Sequence, residues 1–312
     1  MEPFDQSTLS EFGSQSTLDP AGQGAAAILP LTWGMTIAFG VVFLLLIALV
    51  WYAWTRSGGR TWWIVGGGVV LPLVSILIVM VFSTSTLQAI TRAHPDSLVI
   101  DVTGKQFWWD VVYDPGGLAM RDANEIVLPR GQPVTLRLMS DNVIHSFWVP
   151  SIAGKMDMIP GRTNTLTVTA TETGRFRGQC AEFCGLSHPL MAFEVVVLEP
   201  EEFLRWFEDT MGEAEDAAQP QLVAGREVFE TAGCPACHQV RGVAEGGMLG
   251  PDLTRVGGRA TLGAGMWRMN KGNLAGWIAD VQDMKPGAKM PSYNHLSGPE
   301  LRAVTAWLAS LK

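Results

Sequence analysis

The sequence predicts three architectures in series: a two-helix transmembrane hairpin, an all-β domain and an all-α domain. Three observations carry this. Two long stretches near the N-terminus hold no charged side chain, a succession of short β-branched runs follows, and the last third turns to helical segments parted by Gly- and Pro-rich loops. A length of 312 residues suits about two domains. The formal charge of −8 gives no reason to expect nucleic acid as a partner.

Residues 1–30 contain acidic side chains but no Lys or Arg, so they cannot be the basic start of a signal peptide. They are expected to form an extracytoplasmic N-terminal segment. Residues 31–54 (LTWGMTIAFGVVFLLLIALVWYAW) and 62–82 (WWIVGGGVVLPLVSILIVMVF) are each long enough to cross a bilayer, and Trp and Tyr gather at their ends. A buried core helix rarely stays uncharged on every face over such a length. The hairpin is therefore placed at residues 31–82. Its connector carries Arg56 and Arg60 while the preceding segment is acidic, so the connector faces the cytoplasm and both termini face outward.

Between residues 97 and 198 the runs LVIDVTG, QFWWDVVY, EIVLP, PVTLRLMS, HSFWVP, NTLTVTAT, GRFRGQ and MAFEVVVL read as short strands of an antiparallel sandwich or barrel. EEFLRWFEDTM then forms a short amphipathic helix, closing a domain over residues 83–211. Residues 212–220 (GEAEDAAQP) have the small, acidic composition of a flexible linker. Residues 221–312 form the helical domain, whose last helix opens at the capping box SGPE, Ser297 to Glu300.

The four cysteines fall into two pairs on either side of the linker, Cys180/Cys184 and Cys234/Cys237. A single zinc site drawn from both would straddle an apparent domain boundary, and a disulfide would not need the soft and imidazole donors that accompany each pair. Cys234 to His238 spell CPACH, the attachment pattern of a c-type haem, with thioethers from Cys234 and Cys237 and iron bound by His238. A redox C-x-x-C would want a βαβ setting, which is missing. Met290 in KMPSY is the choice for the second axial ligand; Met284, Met266, Met269 and Met248 compete with it.

The first pair sits in CAEFCGLSHPLM. One thiolate with two imidazoles and a weak thioether would make a blue-copper site. A second thiolate lets two sulfurs bridge two coppers, with one imidazole and one weak donor left for each metal. Cys180, Cys184, His188, Met191 and the carbonyl of Glu182 supply all but one imidazole. His145 is the best remaining candidate, because His94 lies beside the membrane and His238 and His295 belong to the haem domain. Such a compact centre suits electron transfer more than bond-making.

With these motifs in hand, the chain resembles cytochrome c oxidase subunit II, in the bacterial form with a cytochrome c domain fused at its C-terminus. CAEFCGLSHPLM fits that family's binuclear CuA motif C-x-E-x-C-G-x-x-H-x-x-M, and KMDMIPGR (155–162) fits a second family segment. The resemblance runs from about residue 31 to residue 312. It implies a cupredoxin-like Greek-key domain for the copper and a class I cytochrome c domain for the haem. GPDL at Gly250, KPGAKMP at Lys285 and the Trp307 helix match the latter, which implies Met290 as axial ligand and Gly225 and Phe229 packed against the Trp307 helix. It also implies that the Glu182 carboxylate reaches a magnesium at the boundary with the catalytic subunit; Asp157 is expected near the same boundary as a docking residue, with ordinary pairing to an arginine as the alternative.

Two departures stand out. The family's aromatic run commonly begins with Trp, whereas here Phe107 precedes Trp108 and Trp109, the expected residues for electron entry or docking. Asn142 stands where the family often has Asp. The implied role is electron input to a haem–copper terminal oxidase of the bacterial inner membrane, with haem c, binuclear copper and a shared magnesium as cofactors. Its expected partners are catalytic subunit I, other oxidase subunits and an external donor such as a cytochrome c or a bc-type complex. The alternatives are the CuA subunit of a nitric oxide reductase, or a membrane-anchored carrier or copper-handling protein without catalytic partner. Residues 221–312 hold ten Lys/Arg against seven Asp/Glu, and residues 83–220 ten against nineteen. A loose tether with a reach of about 15–18 Å would then let complementary domains meet often.

Overall fold

The computed structural model describes residues 13–55, 61–92, 94, 97–113, 120–215 and 217–312. The first apolar stretch forms helix α1 (Gln23–Thr55), which begins ahead of residue 31 because its Ala-rich first turn docks on the β-domain: the Ala25 amide donates to Ile152 O at 3.0 Å. The second stretch is not one regular helix. A short α2 (Thr61–Val65) passes through a π-helical segment, Gly66–Val70, into α3 (Leu71–Ile90). Three consecutive glycines and Pro72 explain the break, since glycine favours the helix weakly and proline withdraws a donor from the i→i−4 ladder. α1 and α3 pack against each other and expose apolar side chains along both lengths, as lipid-facing helices must. The connector with Arg56 and Arg60 lies outside the described residues, as do residues 1–12 of the N-terminal segment.

The β-domain contains β1 (Leu98–Lys105), β2 (Trp108–Tyr113), β3 (Met120–Ala123), β4 (Glu125–Pro129), β5 (Pro133–Ser140), β6 (His145–Trp148), β7 (Met156–Met158), β8 (Asn164–Thr169), β9 (Gly174–Cys180) and β10 (Ala192–Leu198). They form two five-stranded sheets, ordered β3-β2-β1-β5-β8 and β4-β10-β9-β6-β7. The expected antiparallel sandwich is in fact mixed. β1 pairs with β5 and β10 with β4 in parallel, because the connections cross between sheets and bring non-consecutive strands side by side. Alternating burial along β1, β2 and β5 sends Ile100, Val102, Trp109, Val111, Leu136 and Leu138 into one core. The N-terminal segment joins this domain: Ser14 bridges to Phe176 and Gly22 to Ala170.

Helix α4 (Pro200–Thr210) closes the domain with a capping box between Glu199 and Glu202. The residues expected to be a free linker are packed. Ala214 donates to Arg241 O at 3.0 Å, Arg241 donates to the carbonyls of Gly212 and Thr210, and Ala214 and Ala217 rest on the helical core.

The helical domain contains α5 (Pro220–Thr231), the short pair β11 (Thr261–Leu262) and β12 (Trp267–Arg268), α6 (Lys271–Ala279), α7 (Val281–Met284) and α8 (Gly298–Leu308). The capping box at Ser297 and Glu300 forms as expected. Gly225 of α5 faces α8 so closely that a Cβ there would stand 2.1 Å from Ala303 O, and Phe229 meets Trp307 at 5.0 Å between ring centroids. The packing implied by the resemblance is thus present.

The two bodies meet through specific contacts. Arg259 pairs with Asp122 at 2.6 Å, with both side chains about one-tenth exposed. Arg121, forked on Asp110, also donates to Met248 O at 3.1 Å, while Arg177 donates to Gly265 O and the Ala192 amide to Ala264 O. A loose tether does not describe this arrangement.

Beside this seam Arg175 bridges Glu194 and Glu125. Burial pushes Glu125 up to about 7 from a usual 4.5; Asp122 and Glu194 add to the shift, and Arg175 and Arg259 oppose it. Between those pH values the folded protein holds a proton that the unfolded chain has released. The stabilising contribution is therefore full below pH 4.5 and lost as pH rises through 7, a difference of about 3 kcal/mol. Glu125→Gln is expected to unfold at a higher temperature than the parent at pH 8, with a smaller advantage at pH 5, in thermal melts of the intact chain. An advantage that does not grow with pH contradicts this origin.

Candidate metal centre and haem cleft

β9 ends at Cys180, and the chain then turns through residues 181–191 before re-entering the sheet as β10, so the whole twelve-residue motif forms one loop over the sandwich end. His145 starts β6, beside that loop. Gly104 of β1 makes room for it: a Cβ there would lie 2.8 Å from the imidazole Cδ2.

The donors converge. Cys180 Sγ and Cys184 Sγ are 3.9 Å apart. His145 Nδ1 lies 3.7 Å from Cys180 Sγ, and His188 Nδ1 lies 3.6 Å from Cys184 Sγ. Met191 Sδ stands 3.8 Å from Cys184 Sγ, and the Glu182 carbonyl 3.2 Å from Cys180 Sγ. His145, Cys180 and Cys184 are buried, and their ligand atoms all fall within 4.8 Å of one another. The two sulfurs are in hydrogen-bond contact with each other. That bond draws Cys180 well below the usual thiol range and holds Cys184 above it. Two sulfurs, each with its own imidazole and a weaker donor on either side, fit a pair of soft metal ions better than a single tetrahedral zinc.

Asn142, read from sequence only as a departure, sits behind His145. The imidazole Nε2–H donates to Asn142 Oδ1 at 3.2 Å, which leaves Nδ1 free on the sulfur side. Gln106, which the sequence reading passed over, donates from Nε2 to the Cys184 carbonyl at 2.6 Å. No spacing rule marks either residue; only the fold brings them to the ligands.

The aromatic run divides by role. Trp109 is wholly buried against His145, Phe147 and Phe193, so it cannot belong to a docking surface. Phe107 and Trp108 line a cleft of about 350 Å³ together with Cys234, Cys237, His238 and Met290. Asp157 lies elsewhere, accepting from Ser146 Oγ at 2.8 Å and from Lys155 Nζ at 3.2 Å rather than from an arginine. These two bonds hold its carboxyl below the ordinary value.

The cleft fits a covalently held haem. His238 Nδ1 donates to Pro251 O at 2.8 Å, leaving Nε2 available, and burial keeps the ring's pKa below its ordinary value, hence neutral at pH 7. Gly250 is the cradle residue: a Cβ there would come within 2.5 Å of the imidazole Cε1. Met290 borders both this cleft and a smaller apolar cavity behind it, each of which His238 also lines. Among its rivals Met248 and Met266 place their sulfurs against Arg121 and Arg177, Met284 sits against Gly276, and Met269 alone also borders the main cleft. His295 is exposed, as expected.

The chain matches the family described as Cytochrome C oxidase subunit II, periplasmic domain, over residues 110–198, and the family Cytochrome c over residues 222–312. Cytochrome c oxidase subunit 2 of Alkalihalophilus pseudofirmus is 37% identical over 249 residues, covering 78% of this chain and 71% of the relative. The same subunit of Bacillus subtilis is 30% identical over an alignment of 331 residues, covering 95% and 92%. The chain belongs to the cytochrome c oxidase subunit II family. The crystal structure of the periplasmic domain of subunit II of cytochrome oxidase from Bradyrhizobium japonicum is 32% identical, covers 39% of this chain and 96% of its own, and superposes with a TM-score of 0.36. Family membership makes the chain a component of an oxidoreductase complex; its first matched domain implies copper of the CuA type and its second implies haem. The two apolar helices, with a periplasmic domain after them, fit a membrane protein with two spans.

Proposed function

We propose that this chain is the electron-input subunit of a haem–copper terminal oxidase in a bacterial inner membrane, with both redox domains and both termini on the extracytoplasmic side. Electrons from an external donor, such as a cytochrome c or a bc-type complex, enter at haem c, pass to binuclear copper and leave for a catalytic subunit that reduces dioxygen to water. Haem and copper supply reversible one-electron chemistry; the chain supplies their placement. Cys234 and Cys237 would anchor the haem, and His238 and Met290 would ligate its iron. Cys180 and Cys184 would hold the copper pair, with His145, His188, Met191 and the Glu182 carbonyl as further donors.

The observation that carries this reading is the facing of the two donor sets. Lys105, Gln106, Phe107 and Trp108 of the copper domain line the haem cleft together with Cys234, Cys237, His238 and Met290, and Gln106 donates to the Cys184 carbonyl. Neither apolar helix contains a histidine, so this chain has no intramembrane imidazoles with which to hold a dioxygen-reducing centre. That role falls to a partner. The Glu182 carboxylate would reach a magnesium at the boundary, with other oxygen ligands from the catalytic subunit.

The test is purification of the native membrane complex, with metal analysis, a pyridine haemochrome assay and parallel assays of dioxygen and nitric oxide consumption. Two coppers and one covalent haem per chain, with dioxygen consumed, are expected. A mononuclear blue copper spectrum overturns the binuclear assignment, and consumption of nitric oxide alone overturns the oxidase.

A further inference from the structure

Two loops that carry proposed ligands touch each other across the domain boundary. Residues 184–188 bear Cys184 and His188, and residues 285–290 lead to Met290. Ser187 Oγ donates to the Pro286 carbonyl at 2.6 Å, and Ser187 is only 1% exposed. Its position makes this bond unusual. Ser187 is the N-cap of the short 3-10 turn His188–Leu190, where a serine hydroxyl ordinarily accepts from the turn's own amides, yet here it makes no capping bond. The hydroxyl instead joins the neighbouring domain.

The surroundings are built around that joint. Gly287, in the left-handed region at φ +79°, presents its backbone to Leu186 and to the Phe107 ring, each about a van der Waals contact from where a Cβ would stand. Lys285 is buried and donates from Nζ to Gly263 O at 2.8 Å, fixing the haem-side loop to its own domain. Gln106 fixes the copper-side loop through the Cys184 carbonyl. Both loops are thus held from behind and meet at one hydrogen bond, with the Asp122–Arg259 pair as a further clasp.

We propose that Ser187 is a positioning residue for electron transfer between the two domains, seating the Met290 loop on the loop of Cys184 and His188. The inference rests on the proposed haem-to-copper route. The step is passage of one electron, one centre oxidised and the other reduced, with no bond made or broken. What Ser187 supplies is a fixed approach in place of a search by a tethered domain.

The experiment compares the full-length complex with its Ser187→Ala variant. Laser-triggered haem-to-copper transfer is followed at low and high salt, hydrogen exchange is read at residues 284–290, and copper electron paramagnetic resonance and haem absorption serve as controls. The variant is expected to transfer electrons roughly two- to tenfold more slowly, the factor that loss of one buried hydrogen bond corresponds to. Its rate should become dependent on salt, exchange in the Met290 loop should rise, and both spectra should stay unchanged. An unaltered rate and unaltered exchange overturn the proposal, as does a changed copper signal, which would place Ser187 in service of the copper loop alone. Should the variant not fold, the parent decides: a transfer rate independent of salt and solvent viscosity supports a seated pose, and dependence on either overturns it. Absence of any haem-to-copper transfer in the parent would instead remove the proposed route itself.

Discussion

Cys184→Ser is expected to abolish the binuclear copper signal and leave one covalent haem per chain. Cys184 is the hub of the site: its sulfur stands within 4 Å of Cys180 Sγ, His188 Nδ1 and Met191 Sδ at once. A hydroxyl of similar shape preserves packing but is a hard, reluctantly ionised donor, whereas copper in such sites is held by soft thiolate. The haem cleft draws its attachment residues from a domain with a separate core around Phe229, Val304 and Trp307. Metal analysis, paramagnetic resonance and a haemochrome assay on the same preparation check the result. Two coppers per chain with the delocalised signal intact would show that Cys184 is not a bridging donor.

Gly225→Val should produce the converse: copper loaded, haem largely lost. The helix pair α5 and α8 is the main packing of the haem domain, and its closest approach is at this residue. A Cβ would stand 2.1 Å from Ala303 O and 2.7 Å from Trp307 Cβ. Ala303 O belongs to backbone, which cannot rotate aside, so the cost is expected to exceed the ~1–3 kcal/mol of ordinary overpacking. Against a typical domain stability of about 5–15 kcal/mol, that is enough to deplete the folded form to which haem is attached. Haem per chain is expected to fall severalfold with two coppers retained. Normal haem content, with an unchanged melting temperature for the haem domain, would mean that the helices part without penalty.

These two variants also mark how far each centre could be read in the chain itself. The copper motif packs five of its six proposed donors into twelve consecutive residues, and CPACH three of four haem contacts into five, because a loop that wraps a metal is a local object whose spacing is written in sequence. The same holds for the apolar stretches, the alternating strands and the capping box at Ser297, each governed by hydropathy, period or a neighbour three residues away. His145 required elimination and Met290 the resemblance to a cytochrome c domain, and the fold then placed His145 beside Cys180 and Met290 on the cleft that His238 lines.

What lay beyond the sequence were contacts made by residues without a pattern of their own. Asn142 behind His145, Gln106 under Cys184 and Ser187 against Pro286 are single polar side chains whose partners are set by which loops meet. Charge totals forecast attraction between the domains, but attraction falls off smoothly with distance and selects no pose. The pose comes from directional, buried pairings such as Asp122–Arg259, together with a linker that packs where its composition promised freedom. The sequence by itself therefore determined which groups each domain can hold, since ligand type and local spacing are covalent properties. Only the tertiary structure decided how the two centres face each other, because that depends on complementary surfaces assembled from residues far apart in the chain.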